Sequence, residues 1–209
     1  NVNISTLHTD SIASCGNDAV RLLNNSDTNT IVNSIVTSNP EGIAFIGCQG
    51  NRVTDNAIRS NTNSGIYMTL TASKNNVCTG NLLSSNGYGV QIAAGPTSNL
   101  IVSNVVTSNT LIGIYLFSNT DFNIIRNNTI KNNTDEGIQL RSGCDANVIV
   151  ENDITGSDTG IHFLATAGAA GADIVAKNNF SGNSTFHIQN QGGLPQTLTA
   201  VQNELARWA

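Results

Sequence analysis

Asn123-Ile-Ile125-Arg-Asn-Asn128-Thr-Ile130-Lys-Asn-Asn133-Thr-Asp-Glu-Gly137-Ile138 is the stretch on which the fold turns. Asparagine returns every five residues, an aliphatic side chain follows each of the first two by two positions, and a glycine-isoleucine pair closes the unit. The same spacing recurs at Asn51/Asn56/Asn61, Asn76/Asn81/Asn86, Asn99/Asn104/Asn109 and Asn147/Asn152/Ser157. Degenerate copies stand at Ser5/Asp10/Cys15, Asn29/Ser34/Asn39 and Asp173/Asn178/Asn183, which makes eight units. A second clock runs through Ala19-Val20, Gly42-Ile43, Gly65-Ile66, Gly89-Val90, Gly113-Ile114, Gly137-Ile138 and Gly160-Ile161, in steps of 23, 23, 24, 24, 24 and 23 residues.

A repeat of this length specifies a solenoid, propeller or array. Helical arrays are excluded, because their repeats need long amphipathic segments rich in Ala, Leu, Glu and Lys. Leucine-rich repeats are excluded by the missing leucine framework. Short segments of period two remain, among them Ile43-Ala-Phe45, Ile66-Tyr-Met68, Ile114-Tyr-Leu116 and Ile161-His-Phe163. They predict strands that alternate an inward apolar residue with an outward variable one. In coils stacked about 4.8 Å apart, identical side chains lie one above another. A buried column of asparagine then satisfies itself, each amide finding partners in neighbouring coils. Asparagine is also expected to supply the left-handed corner conformations.

The N-x-I-x-x-N-x-I-x-x-N pattern followed by G-I resembles the right-handed parallel β-helix repeats of the NosD-like and carbohydrate-active, pectate-lyase-like superfamily. The resemblance covers roughly residues 5 to 188. It implies an all-β, right-handed parallel β-helix of about eight coils at residues 1–193, and an extracellular or cell-surface location. Enzymes of that superfamily carry marks that this chain lacks. It has no Asp-Pro-His-Asp segment of the alginate epimerases and no Arg-x-Pro-x-x-Arg of the pectate lyases. Of the polygalacturonase signature only the Asn-Thr-Asp element is present, as in Asn119-Thr120-Asp121.

After Gln191-Gly-Gly-Leu-Pro195 the period breaks, and Leu198, Val201, Leu205 and Trp208 fall on one helical face. Residues 194–209 are therefore predicted to be a C-terminal capping helix. The small-residue run at 165–172 predicts a local bulge of its coil. Since the chain opens inside a repeat with no signal peptide at Asn1, a mature form or an excised segment is expected.

Charged residues make up 11% and hydrophobic ones 39%, with a net charge of −5. Without a basic stripe, nucleic acid is excluded as a partner. No apolar run reaches the roughly 20 residues of a membrane-spanning helix. Cys48 and Cys144 take nearly the same coil position four coils apart, Cys15 stands in an asparagine position and Cys78 in a core position, so all four are expected as free thiols.

Two constellations could carry function. The outward positions two after each glycine read Arg21, Ala44, Tyr67, Gln91, Tyr115, Gln139, His162 and His187, and those two further on include Ile46, Phe117, Arg141 and Leu164. Aromatic rings and amides repeating along a flat sheet suit an extended polysaccharide, with Tyr67, Gln91, Tyr115, Gln139, His162 and His187 as its contacts. The same face could instead be a homo-oligomer contact through Ile46, Phe117 and Leu164. Asp27, Asp121 and Asp145 share one turn position, so Asp121 and Asp145 should be neighbours able to hold calcium or to serve as Asx-turn residues. No other cofactor is expected. The leading reading is a carbohydrate-binding or structural surface module. A polysaccharide lyase or hydrolase is the alternative, with Tyr115 or His162 as base and Arg141 neutralising a uronate, and a trimeric fibre scaffold is a third.

Overall fold

The computed structural model describes residues 6–164 and 173–191. Three parallel sheets of eight strands each wrap into a right-handed β-helix. The first sheet is built from Thr6–His8, Thr30–Val32, Arg52–Thr54, Val77–Thr79, Leu100–Val102, Ile124–Arg126, Val148–Val150 and Ile174–Ala176. The second runs through Ser11–Ala13, Ile35–Thr37, Ala57–Arg59, Leu82–Ser84, Val105–Thr107, Thr129–Lys131, Asp153–Thr155 and Asn179–Ser181. The third comprises Val20–Leu23, Ile43–Ile46, Ser64–Thr69, Tyr88–Ala93, Ile114–Phe117, Glu136–Arg141, Thr159–Phe163 and Phe186–Asn190. The predicted capping helix, with Trp208, and the bulge at 165–172 lie outside the described residues. Among the described residues no helix is long and apolar enough to cross a membrane.

Period-two alternation sends one side chain of each three-residue strand inward. Ile31, Val53, Cys78, Ile101, Ile125 and Ile149 form one buried column, and Val36, Ile58, Leu83, Val106, Ile130 and Ile154 another. The longer third-sheet strands contribute two columns, which include Ile66/Val90/Ile114 and Met68/Ile92/Leu116. Inside the array a buried asparagine ties three levels together. Asn104 Nδ2 donates to Cys78 O in the coil below, to Val102 O in its own coil and to Asn128 Oδ1 above, while its Oδ1 accepts Asn81 N and Asn81 Nδ2.

The corners differ from the expectation in one respect. The left-handed residue is the one immediately before the ladder asparagine, as in Asn127 (φ 55°), Glu151 (φ 59°) and Lys177 (φ 56°), and never the buried asparagine itself. An asparagine whose amide and N–H both engage the neighbouring coil is held in extended geometry, so the turn is taken one step earlier. Even Phe122 accepts φ 56° there, a conformation a bulky side chain rarely adopts.

The cysteines are placed as expected, and all four are free. Burial pushes the Cys48 thiol up to about 11 and also raises Cys78, which sits between Val53 and Ile101. Both are thus poor nucleophiles. In denaturant without reductant, all four thiols should react with a thiol reagent. A smaller number would mean a disulfide and would contradict this register.

Candidate functional site

The third sheet carries the chemistry on its outward face. At Gly113 an added Cβ would stand 2.5 Å from Gly137 O, 2.8 Å from Asn133 Nδ2 and 2.9 Å from Ile130 Cγ2. This corner therefore admits no side chain, and the strand that follows is fixed in register. Ile114 and Leu116 then point inward and Tyr115 outward. The register aligns Arg21, Ala44, Tyr67, Gln91, Tyr115, Gln139 and His162 in one outward column, with Phe117 beside Arg141 in the next.

His187 does not belong to that column. Gln189 pairs with His162 there, and an added Cβ on Gly160 would stand 2.4 Å from the His187 backbone oxygen. His187 occupies the glycine position of the last coil, its ring stacked on Phe180 at 5.9 Å. The coil before it is longer, so a count of two residues past a glycine slips there.

Side chains on the face form two groups. Tyr115 is sandwiched, with its ring 5.5 Å from Tyr88 and 5.8 Å from Phe117, and the Arg141 guanidinium lies 5.7 Å from the Phe117 centroid. Only 8% of Tyr115 is exposed, so it supports its neighbours rather than offering a free ring. Burial raises its phenol, with Arg141 pulling the other way. Tyr88 and Phe117 are half-buried and form the accessible part of the stack. Next to them, Glu136 Oε1 accepts from Gln139 Nε2 at 2.8 Å and meets His162 Nδ1 at 2.9 Å. The His162 side chain is 10% exposed, and its Nε2 has no hydrogen-bond partner among the described residues. Further down the column, Gln91 Oε1 accepts Ser64 Oγ at 2.8 Å, beside the half-buried Tyr67.

Asp121 and Asp145 occupy the same corner of consecutive coils. Asp121 Oδ1 accepts the Asp145 backbone N–H at 2.9 Å, and Asp27 Oδ1 accepts Gln49 N at 2.8 Å in the same way. Each carboxylate caps the coil above it. Burial, with Asp145 adding to it, raises the Asp121 carboxyl. Among the described residues no three His, Cys, Asp or Glu side chains converge on a point. Calcium takes six to eight oxygens, of which these two carboxylates would supply a part.

Over residues 3–197 the sequence matches the family model described as periplasmic copper-binding protein (NosD). The chain belongs to the NosD family. Copper centres gather imidazole, thiolate or thioether groups. In this NosD-family chain Cys78 and Met68 are core residues, His162 faces Glu136 and His8 lies at the first coil next to Thr9, so the described residues do not fit such a centre.

Among solved structures the chain is similar to a periplasmic alginate epimerase, at 15% identity, 90% of this chain against 49% of that one and a TM-score of 0.74. It is also similar to an alginate lyase from Paenibacillus sp., at 12% identity, 88% against 78% coverage and a TM-score of 0.61. A surface adhesin of Streptococcus pneumoniae gives 17% identity, 78% against 46% coverage and a TM-score of 0.61. At these identities the likeness is one of fold. The chain spans about half the length of the epimerase. No curated protein matches the sequence.

Sequence reasoning found Tyr67, Gln91, Tyr115, Gln139, His162 and Arg141 on one face. It missed Tyr88 as part of the stack and Glu136 as the shared partner of Gln139 and His162. Both stand one residue before the position that Gly or its equivalent takes in the repeat, outside the two columns that were counted. The signal available was that this position changes character from coil to coil, as Ser64, Tyr88, Ile112, Glu136 and Thr159.

Proposed function

We propose that this chain binds an extended polysaccharide along the outward face of the third sheet, outside the cytoplasm, in the periplasm or at the cell surface. The observation that carries the reading is the row Tyr88, Tyr115, Phe117 and Arg141, in which a buried tyrosine braces two accessible rings and a cation. Rings of this kind stack on the apolar faces of sugars, and a guanidinium over Phe117 is placed to meet a hydroxyl or a uronate carboxylate. The likeness to alginate-acting enzymes supports a polysaccharide partner; the family's periplasmic description and the adhesin's surface location support the compartment.

Titration against a panel of neutral and uronate-containing polysaccharides tests this. Phe117→Ala and Tyr88→Ala should each weaken binding about tenfold, about 1.4 kcal/mol, while the melting temperature moves little. Tyr115→Ala should lower both, because its ring is buried between the other two. A parent protein that binds none of the panel would sink the reading. If Phe117→Asp lowers the sedimentation mass in that case, the face is a contact between copies of the chain.

A lyase or hydrolase is the second reading, favoured by His162 alone. Its Nδ1 is held by Glu136 and its Nε2 is buried without a partner among the described residues, so Nε2 would exchange a proton with a sugar only where the side chains around it open. Arg141, in the next column and one coil away, would neutralise the uronate. Release of unsaturated products or reducing ends, abolished in His162→Ala while binding survives, would establish catalysis.

A further inference from the structure

Where the third sheet turns toward the first, three successive coils leave a groove of about 520 Å³. The size falls within the range of small-molecule sites. Thr71, Ala94, Gly95, Thr97, Ser118, Asn119 and Asp121 line it. Its floor is kept open by Gly95, at φ +90°, where an added Cβ would stand 2.6 Å from Thr71 Cγ2. Two of the polar walls are held by the coil above: Asp121 through the Asp145 N–H, and Asn119 by packing of its Oδ1 against Gly143.

Three hydroxyls, an amide and a carboxylate meet here without a cation or an aromatic ring. Such a set exchanges hydrogen bonds with a polyhydroxylated ring, and the Asp121 charge disfavours an anionic one. The groove begins one residue past Phe117, at Ser118, so a polymer lying across the stack runs directly into it. The three coils span about 9.6 Å along the solenoid axis between the first and the last, which leaves room for a sugar ring across the groove. We propose that this groove is a second sugar subsite, selective for neutral sugar units, which extends the polysaccharide face of the third sheet. The inference rests on the reading of that face given above.

The test uses β-1,4-linked mannose oligosaccharides as the neutral probe and β-1,4-linked mannuronate oligosaccharides as the acidic one, each as di-, tetra- and hexasaccharide, titrated by calorimetry. In the parent the neutral series should gain about tenfold from di- to hexasaccharide, and the acidic series should gain less. The double variant Thr71→Val/Thr97→Val, which keeps side-chain shape and removes two hydroxyls, should lose that gain and keep disaccharide affinity. Asp121→Asn, which retains an acceptor for the Asp145 N–H, should raise the acidic hexasaccharide about tenfold. Length gains unchanged in both variants would overturn the subsite and leave the sheet face standing. Failure of the parent to bind either series at any length would remove both.

Discussion

Asn104→Ala is expected to destabilise the β-helix by about 3 to 5 kcal/mol, at the upper end of what single substitutions do. The amide makes five hydrogen bonds across three coils, with Cys78 O, Val102 O, Asn128 Oδ1, Asn81 N and Asn81 Nδ2. Alanine removes all five and leaves partners buried where water cannot replace the lost amide, at roughly 1 to 3 kcal/mol for each group left unsatisfied. Relaxation of the neighbouring coils recovers part of the sum. The melting temperature should fall by about 10 °C for a chain of this size. Asn179→Ala is the control, because Asn179 is exposed and its side chain reaches only Asp153 Oδ1, at 2.9 Å. That change should cost under about 0.5 kcal/mol. Comparable losses at the two positions, measured by denaturant unfolding, would contradict the ladder as the source of stability.

Asp173→Asn is expected to act in the opposite direction. Asp173 takes a ladder position that asparagine fills in the six coils before it, Asn29 through Asn147, and its Oδ1 accepts Asn147 N at 2.8 Å and Asn147 Nδ2 at 3.1 Å. Elsewhere the ladder amide also donates to a carbonyl one coil back, as Asn147 does to Thr120 O. A carboxylate cannot donate, and a protonated carboxyl can. The side chain is fully buried, and this burial pushes its pKa up to about 6, against the hydrogen bonds from Asn147. Because the folded value lies above the unfolded one near 3.9, the unfolded chain loses its proton first as pH rises. Stability from this group is therefore full below about pH 4, falls between about 4 and 6, and stays low above that. The shift is worth about 2 to 3 kcal/mol. Asp173→Asn should recover about that much at pH 7 and little at pH 4. A gain equal at both values, or none at pH 7, would overturn the assignment.

The position of Asp173 could be read from the repeat, but its protonation could not. The same division runs through the chain. The five-residue asparagine spacing and the glycine clock determine which residues share a level, because strands in a parallel sheet keep one spacing and a coil of constant length returns every residue to its column. From that alone follow the parallel stacking of the coils, the inward columns such as Val53/Cys78/Ile101, the free cysteines and the outward alignment of Tyr67, Gln91, Tyr115 and Gln139. His187 shows where the inference stops. Once a coil is longer and its glycine is replaced, counting no longer gives register, and only hydrogen bonding between strands does.

Contacts between columns were decided by tertiary structure. Tyr88 stands three residues before Gln91, the member of the Tyr115 column in its own coil, and one coil away from Tyr115, and their stacking depends on the rotamers that the face allows. The same holds for Glu136, which joins Gln139 of its own strand to His162 of the next. The groove beside Gly95 arises where three corners of different sequence meet, and no single repeat encodes it. Periodicity thus determined the scaffold, since a repeated backbone has one way to stack. The site depends on where the repeats differ, and what those differences do is set by neighbours that only the folded coils bring together.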